Sequence, residues 1–82
     1  MRTKQMPKFS ARLKELRKEK GVKQMEMAEL LGCTSNHYQQ IEYGHINIPA
    51  LTLEFLADYF EVSTDYLLGR TEVRETAGQS DQ

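Results

Sequence analysis

Apolar residues recur along this chain at intervals of three and four, the spacing that places them on one side of an α-helix. Phe9, Leu13 and Leu16 form a first stripe, with Pro7 suited to its opening turn and Gly21 to its stop. Met27 and Ala28 are the inward positions of a second helix that runs out at Leu30 and Leu31. Tyr38 and Ile41 mark a third, and Leu53, Leu56, Ala57 and Phe60 a fourth that follows Pro49. Val62 and Leu67 close the core around a short fifth helix, capped by Ser63 and ended by Gly69. The pattern predicts an all-α domain of five helices.

Residues 23–44, KQMEMAELLGCTSNHYQQIEYG, carry the most information, because they read as two short helices joined by a tight turn. Gly32 can take the left-handed conformation that stops a helix, and Cys33 is a small apolar residue to hold the turn on the core. Thr34 can then cap a new helix, with Cys33 and Tyr38 as an apolar staple around it, and Gly44 ends it. At about 100° per residue, Tyr38 and Ile41 fall on one side of that helix, and Asn36, Gln39, Gln40 and Tyr43 on the other. A row of surface amides is by itself an ordinary solvated face. Placed after a tight turn, the same amides match the adenine edge in the DNA major groove, and a helix so presented is one that enters the groove.

Together these features resemble the lambda-repressor-like family of helix-turn-helix proteins, the Cro/CI or XRE type. The likeness rests on Gln24 and Ala28 in QMEMA, on Gly32, on Ile41-Glu42, on Gly44 and on the later VSTDYLLGR, and it covers residues 9–70. It implies a five-helix DNA-binding domain whose helix-turn-helix is formed by helices 2 and 3. It also implies that Arg17 pairs with Glu42 to bridge helix 1 to helix 3, and that Gln24 touches phosphate and braces the recognition helix. Ala28 would let helix 3 cross closely. Ser35, Asn36, Gln39 and Gln40 are the candidate base readers, family precedent favouring Ser35, Asn36 and Gln40. Lys23 departs from the family, which has Ser or Thr at this cap, and sits poorly at the positive end of a helix unless a phosphate lies near.

Charge sharpens the reading. Residues 1–24 carry nine Lys or Arg against two Glu, whereas residues 25–82 carry two Arg against ten acids, for a net charge of −1. A basic end supplies a sequence-independent pull on phosphate, and the acidic remainder opposes indiscriminate coating of nucleic acid. Residues 1–8 read equally as a solvated basic arm or as one that touches DNA. Neither Lys nor Arg occurs between Met25 and Gly69, so phosphate contacts within the motif fall to backbone amides and to Lys23, Gln24, Thr34, Asn36, Tyr43, His45 and Asn47.

Leu51, Phe55 and Tyr59 repeat every four residues on helix 4 away from its core face, with Tyr66 expected outside in the same region. Such a stripe is either a dimer interface or a set of side chains folded over a neighbouring helix of the same chain. Residues 71–82, TEVRETAGQSDQ, are polar and expected to be disordered, which leaves dimerisation to residues 9–70.

At 82 residues the chain is one small domain that buries only about 60% of its unfolded surface, with no room for a large catalytic cleft. One cysteine gives no disulfide framework, and without a long apolar run or signal sequence the expected location is the cytoplasm. Cys33 and His37 are spaced for a metal but are two ligands where zinc takes four. No nucleophile or phosphate-binding motif is present, so neither enzymatic activity nor a cofactor is expected. Two functions fit: a homodimeric transcriptional regulator, a repressor of phage or mobile-element type on a palindromic double-stranded DNA operator, or a helix-turn-helix interaction module such as an antitoxin or anti-repressor partner.

Overall fold

In a computed structural model the described residues are 7–74, and among them lie five α-helices: α1 (Pro7–Lys20), α2 (Gln24–Leu31), α3 (Ser35–Tyr43), α4 (Ala50–Phe60) and α5 (Thr64–Leu68). The basic arm assigned to residues 1–8 is shorter than expected, since Pro7 and Lys8 form the first turn of α1. The remainder of the arm, and residues 75–82 of the tail, lie outside the described residues.

Helix α1 is the spine. Its Phe9, Leu13 and Leu16 are buried, the helix packs against α3, α4 and α5, and its last turn carries Arg17, Lys18 and Lys20, cations that suit the negative end of a helix. Around this stripe the core collects Met27, Ala28, Tyr38, Ile41, Leu56, Ala57, Val62, Tyr66 and Leu67, with Ile46 and Ile48 of the α3–α4 loop packed against it. Helix α4 ends without glycine: Glu61 takes the left-handed conformation at φ 59°, and its N–H and that of Val62 satisfy the carbonyls of Asp58 and Ala57. Ser63 then caps α5, its Oγ accepting from the Tyr66 amide at 2.9 Å.

Tyr66 departs from expectation. It is not an outward residue but 7% exposed, because α5 lies across α1 and the chain beyond Gly69 folds back over it. The Arg12 guanidinium stacks 4.0 Å from the ring centroid and donates to the Tyr66 and Thr71 carbonyls. Arg74 lies 5.4 Å from the same ring, donates to the Tyr66 hydroxyl at 3.2 Å and grips Glu19 of α1 through both its terminal nitrogens. The Ser63 amide donates to the Arg74 carbonyl. The first four residues of the segment expected to be disordered, 71–74, are therefore a strap that holds α5 on α1. Arg12 of α1 is consumed in holding it.

Candidate nucleic-acid interface

The turn between α2 and α3 is built as its residues dictate. Gly32 reaches φ 71°, a conformation that costs a side-chain-bearing residue about 1–2 kcal/mol, and the Cys33 amide returns to the Ala28 carbonyl at 2.9 Å. Thr34 is extended, and its hydroxyl accepts from the His37 amide at 3.0 Å. At the other end of α3, Gly44 turns the chain so that the His45 amide donates to the Gln40 carbonyl at 3.0 Å. Lys23 precedes α2 with no side-chain acceptor to offer; its own amide donates to Glu26 Oε1 at 2.8 Å.

A buried carboxylate fixes α3 to the rest of the domain. Glu42 is 2% exposed and accepts from Arg17 Nε at 2.6 Å and Nη2 at 3.2 Å, from Tyr38 Oη at 2.7 Å and from Gln24 Nε2 at 2.8 Å. Arg17 also donates to the Val22 carbonyl, and Ser10 to the Glu42 carbonyl. Helices α1, α2 and α3 thus meet on one anion. Burial alone would raise the Glu42 pKa, but the hydrogen bonds from Arg17, Tyr38 and Gln24 outweigh it and hold the group below the ordinary carboxylate range. Burial, then the bond to Glu42, pushes the Tyr38 phenol well above its usual value, and the bond to Glu42 raises Arg17. The Tyr38 hydroxyl was missed from sequence, where the ring counted only as core.

On the outward side of α3, Asn36 and Tyr43 are exposed and Ser35 is half-buried. Gln39 and Gln40 are half-buried rather than free. Because Glu42 can only accept, Gln24 must turn Nε2 toward it and Oε1 away, and Gln39 Nε2 donates to that Oε1 at 3.2 Å. Gln40 Oε1 lies 3.0 Å from His45 Nδ1, whose ring stands edge-on to Tyr43 at 5.8 Å between centroids. Lys23, Thr34, His45 and Asn47 are exposed beside this surface, while Gln24 is half-buried at its edge.

The basic charge at the front of the chain is smaller in effect than its count, since Arg17 is paired with Glu42, and Arg12 with Glu72 and the carbonyls of Tyr66 and Thr71. On α4, Leu51 is 78% and Phe55 41% exposed. Tyr59 is half-buried, stacked on Phe55, edge-on to Phe60 and covered by Lys20 Nζ at 5.0 Å. Of the four residues expected at one interface, the Leu51, Phe55 and Tyr59 stripe and Tyr66 beside it, Tyr66 is enclosed and Tyr59 partly so. Among the described residues no helix is long and apolar enough to cross a membrane.

Two short helices at a glycine turn, the second capped by Thr34 and pinned by a buried carboxylate with its polar side outward, define a helix-turn-helix. A family model described as a helix-turn-helix domain matches residues 11–73. The chain belongs to this family, in its XRE, or Cro/CI, type. It is 39% identical over 69 residues to the HTH-type transcriptional regulator AnsR of Bacillus subtilis, covering 84% of this chain and 60% of that protein. It is 39% identical over 66 residues to the SPbeta prophage-derived uncharacterized HTH-type transcriptional regulator YonR of the same organism, covering 80% and 61%. With the HTH-type transcriptional regulator ImmR, also of Bacillus subtilis, identity is 42% over 62 residues, covering 76% and 49%. The chain thus spans about half to three-fifths of the length of these relatives.

Proposed function

We propose that this protein is a sequence-specific regulator that binds a palindromic double-stranded DNA site as a homodimer and represses transcription, in the manner of phage and mobile-element regulators. The observation that carries the reading is the outward side of α3: Ser35, Asn36, Gln39 and Gln40 stand on a helix anchored from behind by Glu42. These four read bases, while Lys23, Gln24, Thr34, Tyr43, His45 and Asn47 meet the backbone around them. The prophage origin in the name of YonR supports the mobile-element setting. Leu51 and Phe55, with the edge of Tyr59, form the dimer contact that sets two α3 helices about 34–36 Å apart on successive major grooves.

Footprinting on the DNA beside its own gene, run with a sizing measurement, tests the whole reading. A dimer that protects a palindrome supports it; a monomer that ignores DNA until mixed with a neighbouring gene product instead favours a partner-binding module. Gln40→Ala should cost about 1–3 kcal/mol per half-site and relax one base pair, and equal loss on cognate and random DNA would remove Gln40 from the readers. With no Lys or Arg between Met25 and Gly69, the slope of log affinity against log salt should be well below the value of about 10 found for lac repressor. A slope that steep would mean phosphate contacts beyond those assigned.

A further inference from the structure

Glu42 sets a direction that runs outward through two amides. Its carboxylate is 2% exposed, and the hydrogen bonds from Arg17, Tyr38 and Gln24 keep it charged, so it accepts and does not donate. Gln24 must therefore give it Nε2, at 2.8 Å, which leaves Gln24 Oε1 for α3. Only a donor can meet that oxygen, and Gln39 Nε2 does so at 3.2 Å. Both glutamines are half-buried, and the sense of each is fixed by the group behind it. We infer that Gln24 is a positioning residue that makes Gln39 a reader of adenine and sets it against guanine. The inference rests on Gln39 being a base reader, as proposed above, and departs from the family precedent, which favours Ser35, Asn36 and Gln40.

A free carboxamide carries an oxygen and two N–H groups and can turn either toward a base. To adenine it offers the oxygen at N6 and one N–H at N7; to guanine, whose N7 and O6 both accept, it can offer only N–H groups. Gln39 has one N–H committed to Gln24. What remains is Oε1 and one N–H, the combination that suits adenine, and its oxygen would oppose O6 of guanine. Turning the amide over to give both N–H groups would set Gln39 Oε1 against Gln24 Oε1, acceptor against acceptor. Gln24 cannot turn in reply without presenting its own oxygen to Glu42. The penalty for the wrong base is thus carried back to a buried charge. Ser35 lies one turn before Gln39 on the same side of α3, so the two follow one another along the groove. Gln24 keeps its second N–H for the phosphate contact assigned to it.

Selection from a random double-stranded library with the 82-residue chain and three variants tests this. Gln39→Ala identifies the base pair that Gln39 reads. Gln24→Met keeps the length of the side chain and removes the acceptor, freeing Gln39 to turn either way. Gln24→Lys offers donors only: it keeps a bond to Glu42 but must receive Gln39 by its oxygen, which turns the Gln39 NH2 group toward the DNA. Wild type should select adenine at the identified pair. Gln24→Met should lower the adenine-to-guanine ratio there by about tenfold, and Gln24→Lys should bring guanine above adenine. Loss or gain of a phosphate contact at residue 24 changes affinity for all sequences alike and leaves that ratio unmoved. Thermal unfolding identifies the variants that fold, and Gln24→Lys, with its donor on Glu42, carries the test where Gln24→Met does not fold. A base other than adenine at that pair in wild type, or an unchanged ratio in a folded Gln24 variant, overturns the inference while leaving Gln39 a reader. If Gln39→Ala relaxes no base pair, the inference falls and reading rests with Ser35, Asn36 and Gln40; if wild type enriches no sequence at all, the proposed function falls with it.

Discussion

Replacing Glu42 by glutamine keeps the shape of the side chain and removes its charge, which isolates the electrostatic part of the joint between α1, α2 and α3. The carboxylate accepts four hydrogen bonds, two from Arg17 and one each from Tyr38 and Gln24. An amide has one acceptor oxygen and turns N–H groups toward the donors on its other side. Whichever way it lies, one Arg17 N–H loses its acceptor, at about 1–3 kcal/mol, while the Tyr38 hydroxyl or the Gln24 amide must turn round to accept from the new N–H. Arg17, with its side chain only 11% exposed, also keeps its charge without a counter-ion. Removing one partner of a buried pair costs about 3–5 kcal/mol, and the isosteric change should fall at the lower end, about 3 kcal/mol. A domain of this size holds roughly 4–12 kcal/mol in all, so the thermal midpoint should drop by about 12–24 °C. Urea unfolding followed by circular dichroism at neutral pH measures this, with an unchanged denaturant slope as the sign of an intact native state. Adding Arg17→Met should cost less in the Glu42→Gln background than alone, because the two residues share one interaction. A Glu42→Gln variant within about 0.5 kcal/mol of wild type, or strictly additive costs, would refute the account.

The same pair sets a pH dependence. The folded-state pKa of Glu42 is lowered from its ordinary 4.5, so between the two values the unfolded chain binds more protons and stability rises with pH. The contribution is whole above that range and is lost as pH falls through the folded value. The stability gap between wild type and Glu42→Gln should therefore stay constant from about pH 5 to pH 8 and close only in more acidic solution. A gap that narrows near neutrality would contradict a lowered carboxylate.

Two substitutions of opposite sign test the backbone. Glu61→Gly should stabilise by about 0.5–1 kcal/mol, because Glu61 stands at φ 59° where glycine pays no steric cost; a lower thermal midpoint would show that its side chain contributes more than the strain removes. Gly69→Ala should destabilise by about 1–2 kcal/mol or more, since φ is 84° and the new methyl would lie 2.6 Å from Cβ of Lys8; an unchanged midpoint would mean that α1 shifts freely away from α5.

What the sequence revealed about this domain divides along a physical line. Caps and stops act between residues a few positions apart, so Thr34, Ser63, Gly32, Gly44 and Gly69 announced themselves. The buried stripes were equally open to reading, because helical periodicity assigns a side before any neighbour is known. The Arg17–Glu42 pair is 25 residues apart and came only through family resemblance. Tyr66 shows where periodicity fails: a five-residue helix has no single inward side when α1 covers one flank and residues 71–74 the other. That strap left no apolar trace, since its grip is made by Arg74, by Arg12 and by backbone groups. The glutamines lie on the outward face that periodicity assigns, but their partners Gln24 and His45 are set by how the helices pack and turn.

The shortage of cations near the recognition helix gives weight to how its glutamines are held. A binder rich in Arg and Lys gains affinity from phosphate whatever the base beneath, and can afford loosely held readers. Here Arg12 and Arg17 are spent within the fold and α3 carries no basic residue beyond His37. Ordering a free glutamine costs up to about 1.5–2 kcal/mol of side-chain entropy, comparable with the 1–3 kcal/mol that a good base contact returns. Under the proposed function, a glutamine already half-buried and hydrogen-bonded to Gln24 or His45 has met much of that cost on folding. In that reading the buried Glu42 bears on recognition as well as stability: it is the fixed acceptor from which the direction of Gln24, and then of Gln39, follows.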